Sequence, residues 1–135
     1  MIRVVVVDDE ALVRAGLELI LNAAGDVRVV ATAAGAEAMA VIAEHRPDVV
    51  LLDIRMPDVD GLTLLRQLRE TIPRTAVAML TTFGSDSYVV KALRSGAAGF
   101  ILKDTRPDQL AQLVRTLAAG GVVLPPRSAR GRAGW

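Results

Sequence analysis

The sequence predicts an open α/β domain in which five parallel strands alternate with five helices. Three observations carry this prediction. First, short runs rich in Val, Ile and Leu show little polar alternation: Ile2-Arg3-Val4-Val5-Val6-Val7, Val49-Val50-Leu51-Leu52, Ala76-Val77-Ala78-Met79-Leu80 and Phe100-Ile101-Leu102. Such runs suit strands buried on both faces of a parallel sheet. Second, the segments between them carry apolar residues at helical spacing and are long enough for crossover helices, which places helices on both faces. Third, each run stops at a polar residue: Asp8 and Asp9, then Asp53, Thr81 and Lys103.

After the first run, Val13, Leu17, Ile20, Leu21 and Ala24 form the stripe of a first helix, closed by Gly25. Val27 to Ala31 reads as a second, short strand. Ala36, Met39, Ala40 and Ala43 give a second helical stripe that stops before Pro47, because the residue preceding proline disfavours helical backbone. The third stripe is Leu62, Leu65, Leu68 and Ile72, ended by Pro73. A weaker fourth, Val89, Ala92 and Leu93, starts at Ser85 or Asp86 and ends at Gly96. The fifth is Leu110, Leu113, Val114, Leu117 and Ala118, with Thr105 as a candidate cap, Pro107 in its first turn and Gly120-Gly121 at its end. Residues 122–135 change character. Pro125-Pro126 and the Arg, Ser, Ala and Gly that follow read as a linker or frayed tail, so the domain is expected over residues 1–121.

A chain of 135 residues with 52% apolar content supports one domain with a real core. A net charge of +1 gives no steer toward nucleic acid or an anionic membrane. The absence of cysteine excludes disulfides and zinc–thiolate sites and suits a reducing cytoplasm. No apolar stretch approaches the roughly 20 residues of a membrane helix, and Met1 leads directly into a strand, so no signal peptide is expected. Lysine occurs only at Lys91 and Lys103, which makes the placement of Lys103 at a strand end more telling.

In an open α/β sheet the carboxyl ends of the strands form the ligand crevice. Asp8, Asp9, Asp53, Thr81 and Lys103 should therefore meet at one end of the domain. Three carboxylates, a hydroxyl and an ammonium suit a divalent cation and a phosphoryl group better than a core. Carboxylates converging without a cation would repel one another and raise at least one pKa, whereas magnesium accepts one or two carboxylates with phosphate oxygen and water. Asp53, so close to Pro57, has no plainer reading, but the other residues do. Asp8 or Asp9 could cap the helix starting near Glu10, Thr81-Thr82 could be turn chemistry, Lys103 a solvated lysine and Phe100 plain core. Asp58-Val59-Asp60-Gly61 lacks the further ligands and terminal Glu of a calcium loop, so it reads as a turn opening the third helix. His45 and Tyr88 read as surface residues.

At these residues the chain resembles the receiver domain of two-component response regulators, the CheY-like family. The matching pieces are Val5-Val6-Val7-Asp8-Asp9-Glu10, Leu51-Leu52-Asp53-Ile54-Arg55-Met56-Pro57, Asp60-Gly61, Leu80-Thr81-Thr82 and Gly99-Phe100-Ile101-Leu102-Lys103, in the family's order and spacing. The resemblance runs from about Ile2 to Gly121. It implies a doubly wound, flavodoxin-like (βα)5 sandwich with strand order 2-1-3-4-5. It also implies that Asp53 is the phosphoacceptor, with Mg2+ held by Asp9, Asp53 and the backbone carbonyl of Arg55, and by Asp8 through a water. Lys103 and Thr81 would contact the phosphoryl group, and Phe100, three residues before Lys103, would be a switch residue coupled to Thr81. The implied partner is a sensor histidine kinase, with a second receiver as a dimer partner through an exposed helical face.

Many receivers follow the strand-five lysine with a cis proline. Here Asp104 follows Lys103, and a cis bond before a non-proline residue costs roughly 3 kcal/mol, so a trans bond is expected. Ala98-Gly99-Phe100-Ile101-Leu102-Lys103-Asp104-Thr105 and Val13-Arg14-Ala15-Gly16-Leu17 look most like regulators of the LuxR/NarL type, which carry a C-terminal helix-turn-helix domain. No such domain is in this sequence. Two functions follow: a phosphorylation-controlled switch for transcription through that absent domain, or a stand-alone receiver serving as a relay or docking module. A third, an aspartyl-phosphate hydrolase, ranks last, because Arg55 stands where such enzymes place a second Asp. The chain is thus not expected to be an enzyme. Arg127, Arg130 and Arg132 in the tail, without a recognition helix, predict weak DNA binding at most and no sequence preference.

Overall fold

A computed structural model of the chain describes residues 1–57, 59–82 and 86–124, with residues 86–88 as backbone only. Its strands are β1 (Ile2–Val7), β2 (Val27–Ala33), β3 (Val49–Asp53), β4 (Ala76–Thr81) and β5 (Gly99–Leu102); its helices are α1 (Ala11–Asn22), α2 (Ala38–His45), α3 (Gly61–Thr71), α4 (Asp86–Arg94) and α5 (Pro107–Ala118). The sheet is parallel throughout, in the order β2-β1-β3-β4-β5, as expected. The order reverses between β1 and β3, so a crevice opens beyond their carboxyl ends. The expected turn residue Asp58, a helix start at Ser85, the placement of the Tyr88 side chain and the tail 125–135 with Arg127, Arg130 and Arg132 lie outside what is described.

The sheet divides the core in two. Val5, Val7, Val50, Leu52, Val77, Met79 and Phe100 pack on one face with residues of α2, α3 and α4. Val4, Val6, Val49, Leu51, Ala78, Leu80 and Ile101 pack on the other with Leu17 and Leu21 of α1 and Leu110, Val114 and Leu117 of α5. Every second residue of each strand thus goes to the opposite core, and both faces are dry, which accounts for the missing alternation in the sequence.

Several local expectations are corrected. β2 runs two residues further than Ala31, through Thr32 and Ala33, and a register shift lies between its pairings with Val4 and Val5. In α2 the buried residues are Ala38 and Ile42, while Ala36, Ala40 and Ala43 are exposed. Counting alanines as apolar put the stripe out of phase, since burial follows the bulky Ile42. Leu64 joins the buried face of α3, and Ala111 that of α5, where Ala118 is exposed. His45 is half-buried rather than fully at the surface. Thr105 does not cap α5: its Oγ1 donates to the Leu102 carbonyl at 2.6 Å, and Arg106 occupies the capping position with Pro107 next. The folded unit also continues past Gly121, because Val123 is buried and bridges to Gly99. No cis peptide bond occurs among the described residues, so Lys103 and Asp104 are joined in trans as expected.

Candidate functional site

The register brings the strand ends together. Val7 pairs with Leu52, so Asp8 follows beside Asp53; Asp53 pairs with Leu80, and Thr81 pairs with Leu102. Strand alternation then assigns faces. Asp8 continues the side of Val4 and Val6, Asp53 that of Val49 and Leu51, and Lys103 that of Ile101, all toward α1 and α5. Thr81 falls on the opposite parity, toward α4 and Phe100. Asp8 is completely buried, and Asp53 and Thr81 nearly so.

Within this crevice Lys103 Nζ lies 2.8 Å from Asp8 Oδ2 and 3.3 Å from Asp53 Oδ2. The closer contact is an ion pair at hydrogen-bond distance. The other oxygen, Asp8 Oδ1, accepts the Glu10 amide at 2.9 Å, which turns the chain from β1 into α1. Neither Asp8 nor Asp9 caps α1; Glu10 holds that position, without a side-chain cap. Asp9 Oδ1 accepts the Gly35 amide at 3.1 Å, tying the acid to the loop after β2, and Asp9 Oδ2 is buried without a partner. Asp53 Oδ1 accepts the Arg55 amide at 3.1 Å.

The charges respond to this packing. Burial pushes the Asp53 carboxyl above its ordinary value; the Arg55 amide opposes this, the Asp8 charge adds to it, and Lys103 opposes it too. The Lys103 ammonium is pulled down by burial but ends above its ordinary value, because Asp8 and Asp53 together outweigh the burial. Lys103 lies closer to Asp8 than to Asp53.

Three of the expected residues, Asp8, Asp53 and Lys103, are therefore in contact. Asp9 stands beside them but is turned to Gly35, and Thr81 closes β4 on the other side of the sheet. Phe100 is fully buried in the core on the α4 side, with Met79 as its strand partner. Arg55 pairs across the loop with Asp60 in an antiparallel bridge. Among the described residues no three carboxylates or histidines are gathered closely enough to hold a metal as they stand. The donor set nevertheless fits a hard cation: it is all oxygen, and among the described residues Asp9 Oδ2 is buried without a hydrogen-bond partner while Asp8 Oδ2 has the Lys103 ammonium beside it.

Three positioning residues were given no role at the site from the sequence. Arg14 donates from its guanidinium to the Asp8 carbonyl, and the Gly35 amide anchors Asp9 from 26 residues away. Gly61 approaches the end of β3 so closely that a Cβ would stand 2.7 Å from the Asp53 carbonyl oxygen. The Asp60-Gly61 pair was the available signal for the last; the first two leave no local pattern.

The chain is similar to known proteins over most of its length. The model of the response regulator receiver domain matches residues 4–115. The transcriptional regulatory protein LnrK of Bacillus subtilis is 40% identical over 127 residues, which cover 93% of this chain and 58% of that protein. The oxygen regulatory protein NreC of Staphylococcus epidermidis is 44% identical over 120 residues, 87% of this chain and 55% of that protein. The chain thus spans just over half the length of these curated relatives. Among solved structures, the signal receiver domain of NarL from Mycobacterium tuberculosis superposes with a TM-score of 0.83 at 40% identity, covering 88% of this chain and 97% of that one. A LuxR-family two-component response regulator from Aurantimonas gives 0.89 at 28% identity, over 99% and 96% of the two chains.

Proposed function

Because the chain belongs to the response regulator receiver domain family, we propose that it is a phosphorylation-controlled switch whose acceptor is Asp53 and whose donor is a sensor histidine kinase. The observation that carries this reading is the meeting of Asp53, Asp8 and Lys103 at the ends of three parallel strands. An Asp53 oxygen forms the new O–P bond while the P–N bond to the donor imidazole breaks, the nitrogen keeping the electron pair and taking up a proton.

The chain's own residues do three things for that transfer. Asp8 and Asp53 hold the Lys103 ammonium where negative charge gathers. The Arg55 amide fixes one Asp53 oxygen. Thr81, at the end of β4, is the hydroxyl that would bond the transferred group. Asp9 and Asp53, with the Arg55 carbonyl and with Asp8 through a water, would hold Mg2+, which when bound neutralises phosphoryl charge. No free substrate is turned over in this reading, so the domain is a switch and not an enzyme.

The relatives support a transcriptional output. LnrK is a transcriptional regulatory protein and NreC an oxygen regulatory protein, each longer than this chain. Transcriptional control through a further DNA-binding domain is the corresponding role here, exercised in the cytoplasm. Among the described residues no helix is long and apolar enough to cross a membrane. The test is incubation with acetyl phosphate with and without Mg2+, read by intact mass. One phosphoryl group should be gained only with the metal and lost in hydroxylamine, as an acyl phosphate is. A gain that survives hydroxylamine would contradict an aspartyl acceptor.

A further inference from the structure

The chain does not leave the fold at the end of α5. It turns at Gly120, whose φ of +91° suits glycine, and the Gly121 amide donates to the Thr116 carbonyl at 2.9 Å. Val123 then lies along the outer edge of β5, parallel to it. The Phe100 amide donates to the Val123 carbonyl at 2.8 Å, and the Val123 amide donates to the Ala98 carbonyl at 3.1 Å. The Val123 side chain is buried in the core on the α1 and α5 side, while its neighbours Val122 and Leu124 are 64% and 57% exposed. One residue is anchored, and its flanks are not.

Gly99 makes room for this contact, and Gly121 for the turn that precedes it. A Cβ at Gly99 would stand 2.8 Å from the Val123 carbonyl oxygen and 3.0 Å from its Cβ, and one at Gly121 would stand 2.7 Å from Thr116 Cγ2. The edge so covered belongs to the strand that carries Phe100 and leads directly into Lys103. β5 is only four residues long and is bonded to β4 on its inner side. Val123 is thus bonded to the strand that leads into Lys103.

We propose that residues 121–124 form an output strap, docked on the edge of β5, which releases when β5 moves and so passes the state of Asp53 to whatever follows residue 124. This rests on the phosphoacceptor reading above. A phosphoryl group on Asp53 brings new oxygens to the place where Lys103 now bridges Asp8 and Asp53. As Lys103 turns to it, β5 shifts, and the Phe100 and Val123 hydrogen bonds on its far edge are lost.

The experiment is amide hydrogen exchange on the full chain, with and without beryllofluoride and Mg2+ as the phosphoryl mimic. In the free protein the Phe100 and Val123 amides should be protected. With the mimic, Val123 should exchange roughly tenfold faster while the Val5 and Val50 amides of the central strands stay unchanged. If the Ile54 and Arg55 amides respond and Val123 is unchanged or better protected, the strap is overturned while the acceptor reading stands. If Ile54 and Arg55 do not respond, the acceptor reading fails, and the docked strap is judged on Gly99→Ala without the mimic. That variant should unprotect Val123 and leave Val5 and Val50 protected; a fully protected Val123 in it overturns the strap.

Discussion

Lys103 Nζ sits 2.8 Å from Asp8 and 3.3 Å from Asp53, so one ammonium serves two buried carboxylates and serves Asp8 better. Removing it leaves both acids without a counter-charge. Lys103→Ala should destabilise the metal-free protein by about 2 kcal/mol, the low end for breaking a buried pair, because the lysine still touches solvent. Mg2+ should restore much of that loss by supplying the missing charge. Urea denaturation of parent and variant, each with and without Mg2+, checks this; equal loss in both conditions would contradict it. The variant should still accept a phosphoryl group slowly but show smaller beryllofluoride-induced shifts at Phe100.

Asp9 offers a buried oxygen without a partner, and the Gly35 amide holds the other. Asp9→Ala should weaken Mg2+ binding by about tenfold or more, the cost of losing a hard-oxygen ligand. Calorimetric titration reads the affinity directly. An unchanged affinity would remove Asp9 from the ligand set.

Gly61 has no room for a side chain. A Cβ there would stand 2.7 Å from the Asp53 carbonyl oxygen and 2.9 Å from both Ile54 Cα and Ile54 O, all of them backbone. Gly61→Ala should cost about 1–3 kcal/mol through overpacking and displace the end of β3, slowing phosphoryl uptake as well. Denaturation and labelling rates on the same variant test both parts.

Away from the site, Arg115 grips Asp26 with two hydrogen bonds of 2.7 and 2.9 Å, joining α5 to the turn before β2. The Arg115 bond holds the Asp26 pKa below its ordinary value. A depressed folded-state value means that the pair stabilises the protein above the ordinary carboxylate range, and that this stability is lost as the pH falls through the folded value. The pair is exposed, so the effect is small. Parent should melt slightly above Asp26→Asn at neutral pH, with the difference closing in acid. A difference independent of pH would place the effect elsewhere than in the carboxylate.

The strands were legible because a parallel sheet buried on both faces leaves β-branched runs no other place, and the strand ends then named Asp8, Asp9, Asp53, Thr81 and Lys103. Helix phase was less legible where small residues dominate: Ala36, Ala40 and Ala43 suggested a face that Ile42 decides by volume. Contacts between distant segments left no periodic trace. Nothing local links Asp9 to Gly35, and a single residue such as Val123 joining β5 has no pattern to read. Thr105 looked like a cap because residue type alone does not say that its hydroxyl turns back to Leu102. How one lysine is shared between two acids is likewise a matter of register, which puts Asp8 beside Asp53 and Lys103 on the same face.

The acceptor role proposed for Asp53 is tested most directly by comparing parent and Asp53→Asn after incubation with acetyl phosphate and Mg2+. The amide keeps the shape but lacks the anionic nucleophile. The parent should gain the mass of one phosphoryl group, mapped to the peptide containing Asp53, and Asp53→Asn should gain none. A full mass gain in Asp53→Asn would contradict the account.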